Sequence, residues 1–343
     1  MESMDIFKSN ESKDLLKRLK SSSNIVITGH RGPDGDALGA SLALWNHLRE
    51  RGVDSVVIMP DVYPEFLNWM VGQENVILHS EDTNRAESLI LDADLVFSLD
   101  YNDTSRVGEM QEALESTSAY KVMIDHHQMP SDFVDLMFSD TSSCSTCELI
   151  YRLIESWGEA GSISKETAAC IYCGIMTDTG SFRFPSVSPK THRIAASLCE
   201  TGLDHSEIHN LVYDNNRVDK IKLVGYALTE KLEVLVDLKA AIISLSKEEL
   251  NRFNYKKGDT EGLVNTALGL EGVNFAAFVH ESDDRVKISF RSVGDFSVRD
   301  FSANHFGGGG HHNAAGGASF ESLDSVVESI KSNLVTYKSD LQY

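Results

Sequence analysis

The sequence contains no apolar stretch near the roughly 18 residues that a membrane-spanning helix needs. Positive charge is scarce as well, because 31 Lys and Arg stand against 52 Asp and Glu, and the formal net charge is −21. Proteins that coat long nucleic acids depend on many Lys and Arg contacts with phosphates. We therefore expect neither a membrane nor a long nucleic acid as a partner. Residues 1–10 lack the basic start and apolar centre of a signal peptide, so a cytoplasmic location is expected.

Cysteine is also rare, with five residues in the chain. An odd, small number fits a reducing compartment better than a disulfide framework. Cys144 with Cys147, and Cys170 with Cys173, form two C-x-x-C pairs, a spacing that also occurs in zinc sites. Both pairs fall in segments with helical periodicity, where this spacing places small side chains on one buried face. The prediction is four buried thiols, with a structural zinc ion as the less favoured alternative.

The remaining pattern predicts an α/β protein with two domains. A chain of 343 residues is long for a single hydrophobic core. In its first part, strands alternate with helices, which is typical of right-handed βαβ units and a parallel sheet with flanking helices. After residue 235 the pattern changes to that of a smaller α+β domain. We predict domains over residues 1–211 and 233–343, joined by a helical linker over residues 212–232.

Apolar runs and helical periodicity give the individual elements. The predicted strands of the first domain are residues 25–28, 55–59, 76–79, 95–99 and 122–125. Its predicted helices are residues 12–20, 37–50, 65–70, 84–93, 105–116, 145–156, 165–176, 189–199 and 204–212, and a long connecting helix covers residues 214–233. In the second domain, strands at residues 240–245, 275–280 and 286–291 accompany helices at residues 262–268 and 323–337.

Three predicted strands of the first domain run directly into acidic and imidazole side chains. These are His30, Asp34 and Asp36 after the first strand, Asp100 after the fourth, and Asp125, His126 and His127 after the fifth. Ligands of open parallel sheets bind outside the carboxyl ends of the strands, so the three clusters should converge in one crevice. Carboxylates and imidazoles gathered there would repel one another without a cation. A divalent-metal site that hydrolyses a phosphate ester is the first hypothesis.

Each cluster has a plainer interpretation. Asp34 or Asp36 would serve as the N-cap of the following helix, and Asp100 would form a turn. Adjacent histidines are also found on ordinary protein surfaces. A cap, however, accounts for one Asp of the first cluster and leaves the other unexplained. Asp100 can bridge two cations because its two oxygens face different directions, and Asp125 can fix the tautomer of a neighbouring imidazole.

Two later segments complete the set of polar motifs. Asp178 lies where a predicted helix meets the loop containing Gly180. Residues 307–310 are four glycines followed by His311, and they leave backbone amides bare and able to approach an anion closely. Ala314 and Ala315 behind them suggest a helix or tight packing. A flexible linker is the alternative for the glycine run.

Taken in order, these motifs resemble those of the DHH phosphoesterase family, in the group with a C-terminal DHHA1 domain. The matching residues are His30, Asp34 and Asp36, then Asp100, the Asp125-His126-His127 signature, Asp178, and the glycines before His311. The resemblance spans nearly the whole chain. Its length and short interdomain connection are similar to those of the bifunctional oligoribonucleases, or nanoRNases, that also act on 3′-phosphoadenosine 5′-phosphate. The larger single-strand exonucleases and the manganese pyrophosphatases of the family match less well.

The resemblance implies two Mn²⁺ ions, with Mg²⁺ or Co²⁺ as alternatives. One ion would be bound by His30, Asp34 and Asp100, and the other by Asp36, Asp100, His126 and Asp178, with Asp100 as the bridge. His127 would face the scissile phosphate, with Asp125 as its partner. The residues implied in substrate binding are Arg291, Gly309, Gly310 and His311, and Arg106 and Arg183 are further candidates because a guanidinium forks onto phosphate oxygens.

The expected activity is hydrolysis of short oligoribonucleotides to mononucleotides and of 3′-phosphoadenosine 5′-phosphate to AMP. The expected partners are accordingly short RNA and small phosphorylated nucleotides. One alternative is a phosphodiesterase for cyclic or linear dinucleotides. A second is a nucleotide-binding module without catalysis, against which the complete set of expected metal ligands argues. The sequence leaves the oligomeric state open, with a homodimer as one option.

Overall fold

The computed structural model describes residues 6–8 and 10–342. They fall into two compact units, the first ending at Asn215 and the second beginning at Asn216. Each unit contains a six-stranded sheet and its own hydrophobic cores. The predicted α/β class is confirmed. The predicted domain limits, at residues 211, 212–232 and 233, remain predictions.

The first unit is built on a parallel sheet. Its strands are β1 (Ile25–Thr28), β2 (Val56–Met59), β3 (Ile77–Leu78), β4 (Leu95–Leu99), β5 (Tyr120–Asp125) and β6 (Leu136–Ser139). They lie in the order β3-β2-β1-β4-β5-β6, and every neighbouring pair is parallel. From β1 the chain adds β2 and β3 on one side of the sheet and then adds β4, β5 and β6 on the other, so the strand order reverses between β1 and β4. The carboxyl ends of strands at such a point form the usual ligand crevice of this architecture.

Helices cover both faces of this sheet. They are α1 (Asn10–Ser21), α2 (Gly35–Glu50), α3 (Thr83–Leu91), α4 (Gln111–Ser116), α5 (Thr146–Ser156), α6 (Lys165–Asp178), α7 (Pro189–Glu200) and α8 (His205–Tyr213), with 3-10 helices at Ile6–Lys8, Glu65–Leu67, Gln73–Asn75, Thr104–Met110 and Ala160–Ser162. Phe97 of β4 lies in the larger core, beside Leu38 of α2 and Leu149 of α5. Its neighbour Val96 lies in the smaller core, beside Ile90 of α3. Because both faces are buried, these strands read as unbroken apolar runs.

The second unit contains a mixed sheet. Its strands are β7 (Leu232–Leu235), β8 (Ala240–Leu245), β9 (Phe275–Glu281), β10 (Val286–Ser292), β11 (Gly309–His311) and β12 (Ala314–Ser319), and its helices are α9 (Val218–Glu230), α10 (Lys247–Arg252), α11 (Leu263–Leu268), α12 (Val298–Phe306) and α13 (Leu323–Thr336), with a 3-10 helix at Val236–Leu238. The order is β11-β12-β10-β9-β8-β7. Strands β8 and β9 pair in parallel, and the other neighbours are antiparallel. Phe301 of α12 and Ile330 of α13 pack on one face, and Leu223 of α9 and Ala267 of α11 pack on the other.

Several predicted elements have different bounds. The predicted helix at residues 65–70 is the 3-10 helix Glu65–Leu67, and the predicted strand at residues 76–79 keeps only Ile77–Leu78. The predicted helix at residues 105–116 is interrupted at Gly108, which has φ 59° and ψ −129°. The long helix at residues 214–233 is wrong at both ends. Arg217 precedes α9 in an extended conformation, and Leu232–Leu235 pairs with β8 as a strand instead.

Both sheets contain strands that the sequence did not predict. In the first unit, β6 pairs only with β5 among the described strands. In the second, Ala314 and Ala315 belong to β12 and not to a helix, because β12 is paired with β10 on one side and β11 on the other. The expectation of tight packing there is correct, since a Cβ on Gly317 would lie 2.9 Å from Phe306 Cβ. No helix among the described residues is long and apolar enough to cross a membrane.

Candidate active site

The loop between β1 and α2 supplies an imidazole and two carboxylates. His30 is 7% exposed, and its Nδ1 lies 2.9 Å from the Arg31 carbonyl oxygen. Because a carbonyl only accepts, Nδ1 carries a hydrogen, and Nε2 is the ring nitrogen that faces the carboxylates. Asp34 is the N-cap of α2, and its Oδ1 accepts the N–H groups of Asp36 and Ala37 at 3.0 Å each. Its Oδ2 lies 3.7 Å from His30 Nε2, so Asp34 caps the helix and also faces the imidazole.

Asp100 lies between two histidines. It follows β4, is 2% exposed, and has a φ of 63°, in the left-handed region. Its Oδ2 is 3.3 Å from His30 Nε2, and its Oδ1 is 3.5 Å from His126 Nε2. The two oxygens of one carboxylate therefore face two different imidazoles, which is the arrangement that a bridging ligand requires.

A second group surrounds His126. Its Nε2 lies 3.8 Å from Asp36 Oδ2 and 3.3 Å from Asp178 Oδ2, and Asp178 is the last residue of α6. On the other side of the ring, Nδ1 is 3.3 Å from the Ser143 carbonyl oxygen. This contact places the hydrogen on Nδ1 and directs Nε2 toward the carboxylates.

His127 is held by a different carboxylate. Its Nδ1 lies 2.8 Å from Asp125 Oδ1, and its backbone N–H donates to Asp125 Oδ2 at 3.0 Å. Asp125 is fully buried at the end of β5. The Nε2 atom of His127 lies 3.5 Å from Arg106 Nη2. Arg106 thus reaches this site, whereas Arg183 is an exposed residue whose guanidinium lies 5.4 Å from the centre of the Phe184 ring.

The crowding of carboxylates changes their protonation. Burial raises the pKa of Asp178 to about 7, and the Asp34 and Asp100 carboxylates add to this effect. Burial also raises the pKa of Asp36 well above its usual range, with repulsion from Asp100 and Asp178 as the next causes. For His30, burial favours the neutral ring, but hydrogen bonds with Asp100 and Asp34 overcome it and raise the pKa to about 10. The protein therefore gathers negative charge that a bound cation would neutralise.

The donor atoms fit divalent cations. They form groups whose atoms lie within 4.8 Å of one another, and these include His30 with Asp34 and Asp100, Asp36 with His126 and Asp178, and Asp100 with Asp125 and His127. The first two groups supply carboxylate oxygens and imidazole Nε2 atoms. Within the third group, His127 Nδ1 and Asp125 Oδ1 are already joined by a hydrogen bond. The structure thus brings together all six residues predicted as metal ligands, and their roles as ligands remain predictions.

In the second unit, two predicted substrate-binding residues lie on one face of the sheet. Ala314 of β12 pairs with Arg291 of β10 on one side and with His311 of β11 on the other. Directly paired residues in antiparallel strands point to the same face. Arg291 and His311 therefore flank the small side chain of Ala314, about two strand spacings, or roughly 10 Å, apart at the backbone.

The glycines before His311 have different surroundings. A side chain at Gly308 would collide with the Gly316 carbonyl oxygen and Ser302 Oγ, and Gly310 has a φ of 141° and lies against Ala314. Packing therefore explains Gly308 and Gly310. A Cβ at Gly309 would meet no described atom within 4 Å. Gly309 is exposed and has no side chain, so a ligand can approach its backbone closely.

The sequence analysis missed the start of α5 as part of the site. Thr146 N donates to Asp36 Oδ2 at 2.6 Å, Cys147 N donates to Asp36 Oδ1 at 2.9 Å, and Thr146 Oγ1 donates to Asp100 Oδ1 at 2.9 Å. The signal that points to this segment is the polar run Ser142–Thr146, which follows β6 at the carboxyl edge of the sheet. Since β6 was not predicted, the run was not placed at that edge.

The four cysteines of the C-x-x-C pairs are buried, as predicted. Burial raises the pKa of the Cys170 thiol to about 12 and the pKa of the Cys147 thiol well above its usual range, so both thiols are protonated. The metal-compatible groups found among residues 6–8 and 10–342 consist of His and Asp side chains. The four thiols of these pairs are packed in the larger core of the first unit.

Comparison with known proteins adds independent evidence. The model of the DHH family N-terminal domain matches residues 24–175, and the model of the DHHA1 domain matches residues 237–336. A crystal structure of an exopolyphosphatase-related protein from Bacteroides fragilis superposes with a TM-score of 0.92 at 38% identity, and the match covers 97% of each chain.

Two curated relatives carry functional names. The bifunctional oligoribonuclease and PAP phosphatase NrnA of Bacillus subtilis is 28% identical over 93% of this chain and 97% of its own. The cyclic-di-AMP phosphodiesterase GdpP of Geobacillus thermodenitrificans is 26% identical over 87% of this chain but only 45% of its own. Both domain models match in the predicted order and a relative at 38% identity spans nearly the whole chain, so this protein belongs to the DHH family of phosphoesterases, in the group with a C-terminal DHHA1 domain, and is a hydrolase.

Proposed function

We propose that this protein is a Mn²⁺-dependent phosphoesterase that hydrolyses short oligoribonucleotides to mononucleotides and converts 3′-phosphoadenosine 5′-phosphate to AMP. The observation that carries this proposal is the position of Asp100, whose two oxygens face His30 on one side and His126 on the other. One shared carboxylate between two ligand groups fits two adjacent cations. Two bound divalent cations supply an activated water and neutralise the charge of the reacting phosphate.

Two ligand sets follow from the contacts. His30, Asp34 and Asp100 would hold one cation. Asp36, His126 and Asp178 would hold the other, with Asp100 shared between them. The first cation would have two carboxylates and one imidazole as ligands, and the second would have three carboxylates and one imidazole. The mixture of oxygen and imidazole nitrogen donors supports Mn²⁺, with Co²⁺ and Mg²⁺ as the cations to compare.

His127 and Arg106 would act on the phosphate itself. The hydrogen bond to Asp125 leaves His127 Nε2 directed toward Arg106, away from β5. In its protonated form the imidazole would donate the proton on Nε2 to the leaving oxygen, and the Arg106 guanidinium would bind phosphate oxygens. Asp125 would stabilise the positive charge that His127 carries after it accepts a proton.

In the second unit, the proposed substrate-binding residues are Arg291, Gly309, Gly310 and His311. The pairing of both Arg291 and His311 with Ala314 places a guanidinium and an imidazole on one sheet face. The exposed backbone of Gly309, which has no side chain, lets a ligand approach the neighbouring edge strand closely. Together they supply the donors that a second phosphate or a terminal nucleotide needs. We propose Arg183 as a further, more distant phosphate contact.

The names of the two curated relatives support different substrates. The relative that matches along nearly its full length is named for oligoribonucleotides and PAP, and this supports our choice. The partial match to a cyclic-di-AMP phosphodiesterase keeps dinucleotides as the second candidate. Both reactions break a phosphate ester and need the same catalytic groups, so the substrate must be identified by assay.

The decisive experiment compares substrates under one set of conditions. The purified protein with Mn²⁺ is incubated with RNAs of two to about twenty nucleotides, 3′-phosphoadenosine 5′-phosphate, cyclic-di-AMP and its linear form, and pyrophosphate. We expect the highest kcat/KM on RNAs of a few nucleotides, together with release of phosphate from 3′-phosphoadenosine 5′-phosphate. A clear preference for cyclic-di-AMP would replace our proposal with the second candidate.

Two variants separate catalysis from substrate binding. Asp100→Ala should reduce kcat by about 100-fold or more because it removes the carboxylate shared by both cations. His311→Ala should chiefly raise KM. Asp54→Ala, at an exposed carboxylate in the loop before β2, is the control and should leave both constants unchanged. Wild-type turnover by Asp100→Ala at saturating Mn²⁺ would contradict the two-metal assignment.

A further inference from the structure

The beginning of α5 contacts three of the six proposed metal ligands. We call residues 143–147 the α5 entry segment. Its Ser143 carbonyl oxygen lies 3.3 Å from His126 Nδ1, and its two amides at Thr146 and Cys147 donate to the carboxylate of Asp36. The segment also contacts a ligand through a side chain, because the Thr146 hydroxyl donates to Asp100 Oδ1 at 2.9 Å. The segment is thus a second layer behind the ligands of both proposed cations.

The contacts to Asp36 use atoms that every helix offers. The first N–H groups of an α-helix have no partner within the helix, and the positive end of the helix dipole favours a carboxylate there. Thr146 and Cys147 are the first two residues of α5, and their amides bind one oxygen of Asp36 each. Any residue other than proline would provide these donors, so this contact does not depend on the threonine side chain.

The hydroxyl of Thr146 is different because α5 does not need it. Ser145 is the N-cap of α5, and its side chain accepts the N–H of Glu148. The cap is therefore complete without Thr146. The Thr146 side chain is fully buried, yet its hydroxyl donates outside the helix, to a residue 46 positions earlier in the chain.

The acceptor of this bond is the shared carboxylate. Asp100 has a left-handed backbone conformation, which surrounding contacts must maintain in a residue other than glycine. Thr146 Oγ1 binds the oxygen that faces His126, and Asp100 Oδ2, which faces His30, remains on the other side. Fixing one oxygen fixes the rotation of the whole carboxylate about its χ2 bond, because the group is planar.

We propose that Thr146 is a positioning residue whose hydroxyl orients the Asp100 carboxylate and thereby sets the spacing of the two cations. This inference rests on the two-metal function proposed above. Partners of metal ligands typically contribute about 10- to 100-fold to metal affinity or activity. Thr146 touches no substrate in this assignment, so its effect should appear in metal binding and in kcat and not in KM.

The test compares Thr146→Val with Thr146→Ser. Valine has nearly the shape of threonine and keeps the backbone N–H, but it has no hydroxyl. Serine restores the hydroxyl. Thr167→Val is the matched control, because Thr167 is also a fully buried threonine in the first turn of a helix, and its hydroxyl contacts Ser164. Far-ultraviolet circular dichroism and thermal unfolding verify the fold of each variant.

Two measurements report on the metal pair directly. Calorimetric titration of metal-free protein with Mn²⁺ should show two binding events in the wild type, and in Thr146→Val at least one should weaken by about 10- to 100-fold. Electron paramagnetic resonance should show the magnetic coupling of two adjacent Mn²⁺ ions in the wild type and its loss or weakening in Thr146→Val. Thr146→Ser and Thr167→Val should resemble the wild type, and kcat should fall for Thr146→Val with KM unchanged.

The outcomes distinguish this inference from the proposed function. A wild type that binds a single Mn²⁺, or that does not hydrolyse nucleotides, would refute the proposed function itself. A wild type with two coupled ions and a Thr146→Val variant with the same affinities, coupling and kcat would refute only the role of Thr146. Equal impairment of the Ser and Val variants would also refute it, because the hydroxyl would then be irrelevant. If Thr146→Val unfolds, Thr146→Ala, which removes the hydroxyl with a smaller side chain, provides the same comparison.

Discussion

Asp125 can accept two hydrogen bonds from His127 because both of its oxygens are acceptors. One oxygen binds the backbone N–H and the other binds Nδ1–H. The backbone N–H cannot become an acceptor, so in Asp125→Asn the amide oxygen must face it. The amide NH₂ then faces Nδ1 and forces the hydrogen of His127 onto Nε2.

We therefore predict that Asp125→Asn inverts the tautomer of His127. Its kcat should fall by about 100-fold or more, as expected for a displaced proton-transfer group, whereas Mn²⁺ affinity should change less than about threefold. Steady-state kinetics and calorimetric titration measure the two quantities. Asp54→Asn is the exposed control. A parallel loss of Mn²⁺ affinity would mean that Asp125 supports the metal site and not the tautomer.

His47 is a buried imidazole outside the active site. Its Nε2 lies 2.9 Å from Glu159 Oε2, and its Nδ1 has no hydrogen-bond partner among the described residues. Burial lowers the pKa of His47 to about 4, and the nearby Arg51 adds to this effect, while Glu159 opposes it. The folded protein therefore keeps this ring neutral under conditions in which an unfolded chain would protonate it.

This difference predicts a pH-dependent loss of stability. Between pH 6.5 and pH 4 the unfolded chain binds more protons at His47 than the folded chain, so the free energy of unfolding decreases as the pH falls through this window. The decrease should be about 2 kcal/mol larger in the wild type than in His47→Gln, which has no proton to gain. Urea unfolding at pH 7 and pH 4.5, with chelator present, measures it. Equal decreases in both proteins would contradict the prediction.

Among the elements, the turn between α12 and β11 contains glycines with separate roles. Gly308 leaves no room for a side chain between Gly316 and Ser302, whereas Gly309 faces open space. We predict that Gly308→Ala lowers the free energy of unfolding by about 1–3 kcal/mol, the usual cost of overpacking. Gly309→Ala should leave stability unchanged and raise the KM for 3′-phosphoadenosine 5′-phosphate severalfold. Thermal unfolding and kinetics on both variants provide the comparison.

The result would be informative in either direction. If Gly309→Ala had wild-type KM and stability, the open space at Gly309 would have no part in substrate binding. If both variants were equally destabilised, a side chain at position 309 would have no more room in solution than one at position 308.

Strands with a strong apolar pattern could be predicted from the sequence, whereas β6 and β12 could not. Strands β1, β4 and β5 are mainly apolar and are followed by polar motifs, so both their existence and their carboxyl ends were predicted. Strand β12 contains Ala and Gly, which have little preference for strands, and it forms because β10, β11 and α12 leave room only for small residues. Strand β6 is only four residues long and forms through its pairing with β5.

The candidate site also contains residues that the sequence predicts and a contact that it does not. Metal-binding side chains at strand ends are visible in sequence because their types and positions combine into a pattern. The contact of Thr146 with Asp100 joins residues far apart in sequence, and no local pattern encodes it. Its discovery required the placement of β6 and α5 beside β4 and β5.

At the scale of the whole molecule, the excess of acidic residues affects the choice of substrate. A formal net charge of −21 repels polyanions, and the repulsion grows with the number of phosphates. Charges that lie beyond about 10 Å are screened at 0.1 M salt, and the screening length falls to about 3 Å at 1 M. Long strands should therefore be disfavoured most strongly at low ionic strength.

We predict that added salt weakens the preference for short RNA over long RNA. The ratio of kcat/KM for a dinucleotide to that for a twenty-nucleotide RNA should decrease between about 50 and 500 mM NaCl, with Mn²⁺ kept saturating. Competition assays with two labelled RNAs measure the ratio directly. A ratio that is independent of salt would assign length selection to the shape of the binding site and not to the charge of the protein.

Each of the two units is stabilised by hydrophobic cores of its own, unlike the parts of a single large domain. The first closes its cores around the parallel sheet, and the second closes its cores around the mixed sheet. Mutations that alter the core of the second unit therefore leave the packing beneath His30, Asp100 and His126 unchanged. If the second unit binds the substrate as proposed, natural selection can vary substrate recognition there while the proposed catalytic residues of the first unit are preserved, and the segment after Asn215 becomes a unit that an engineer can exchange for one from a relative.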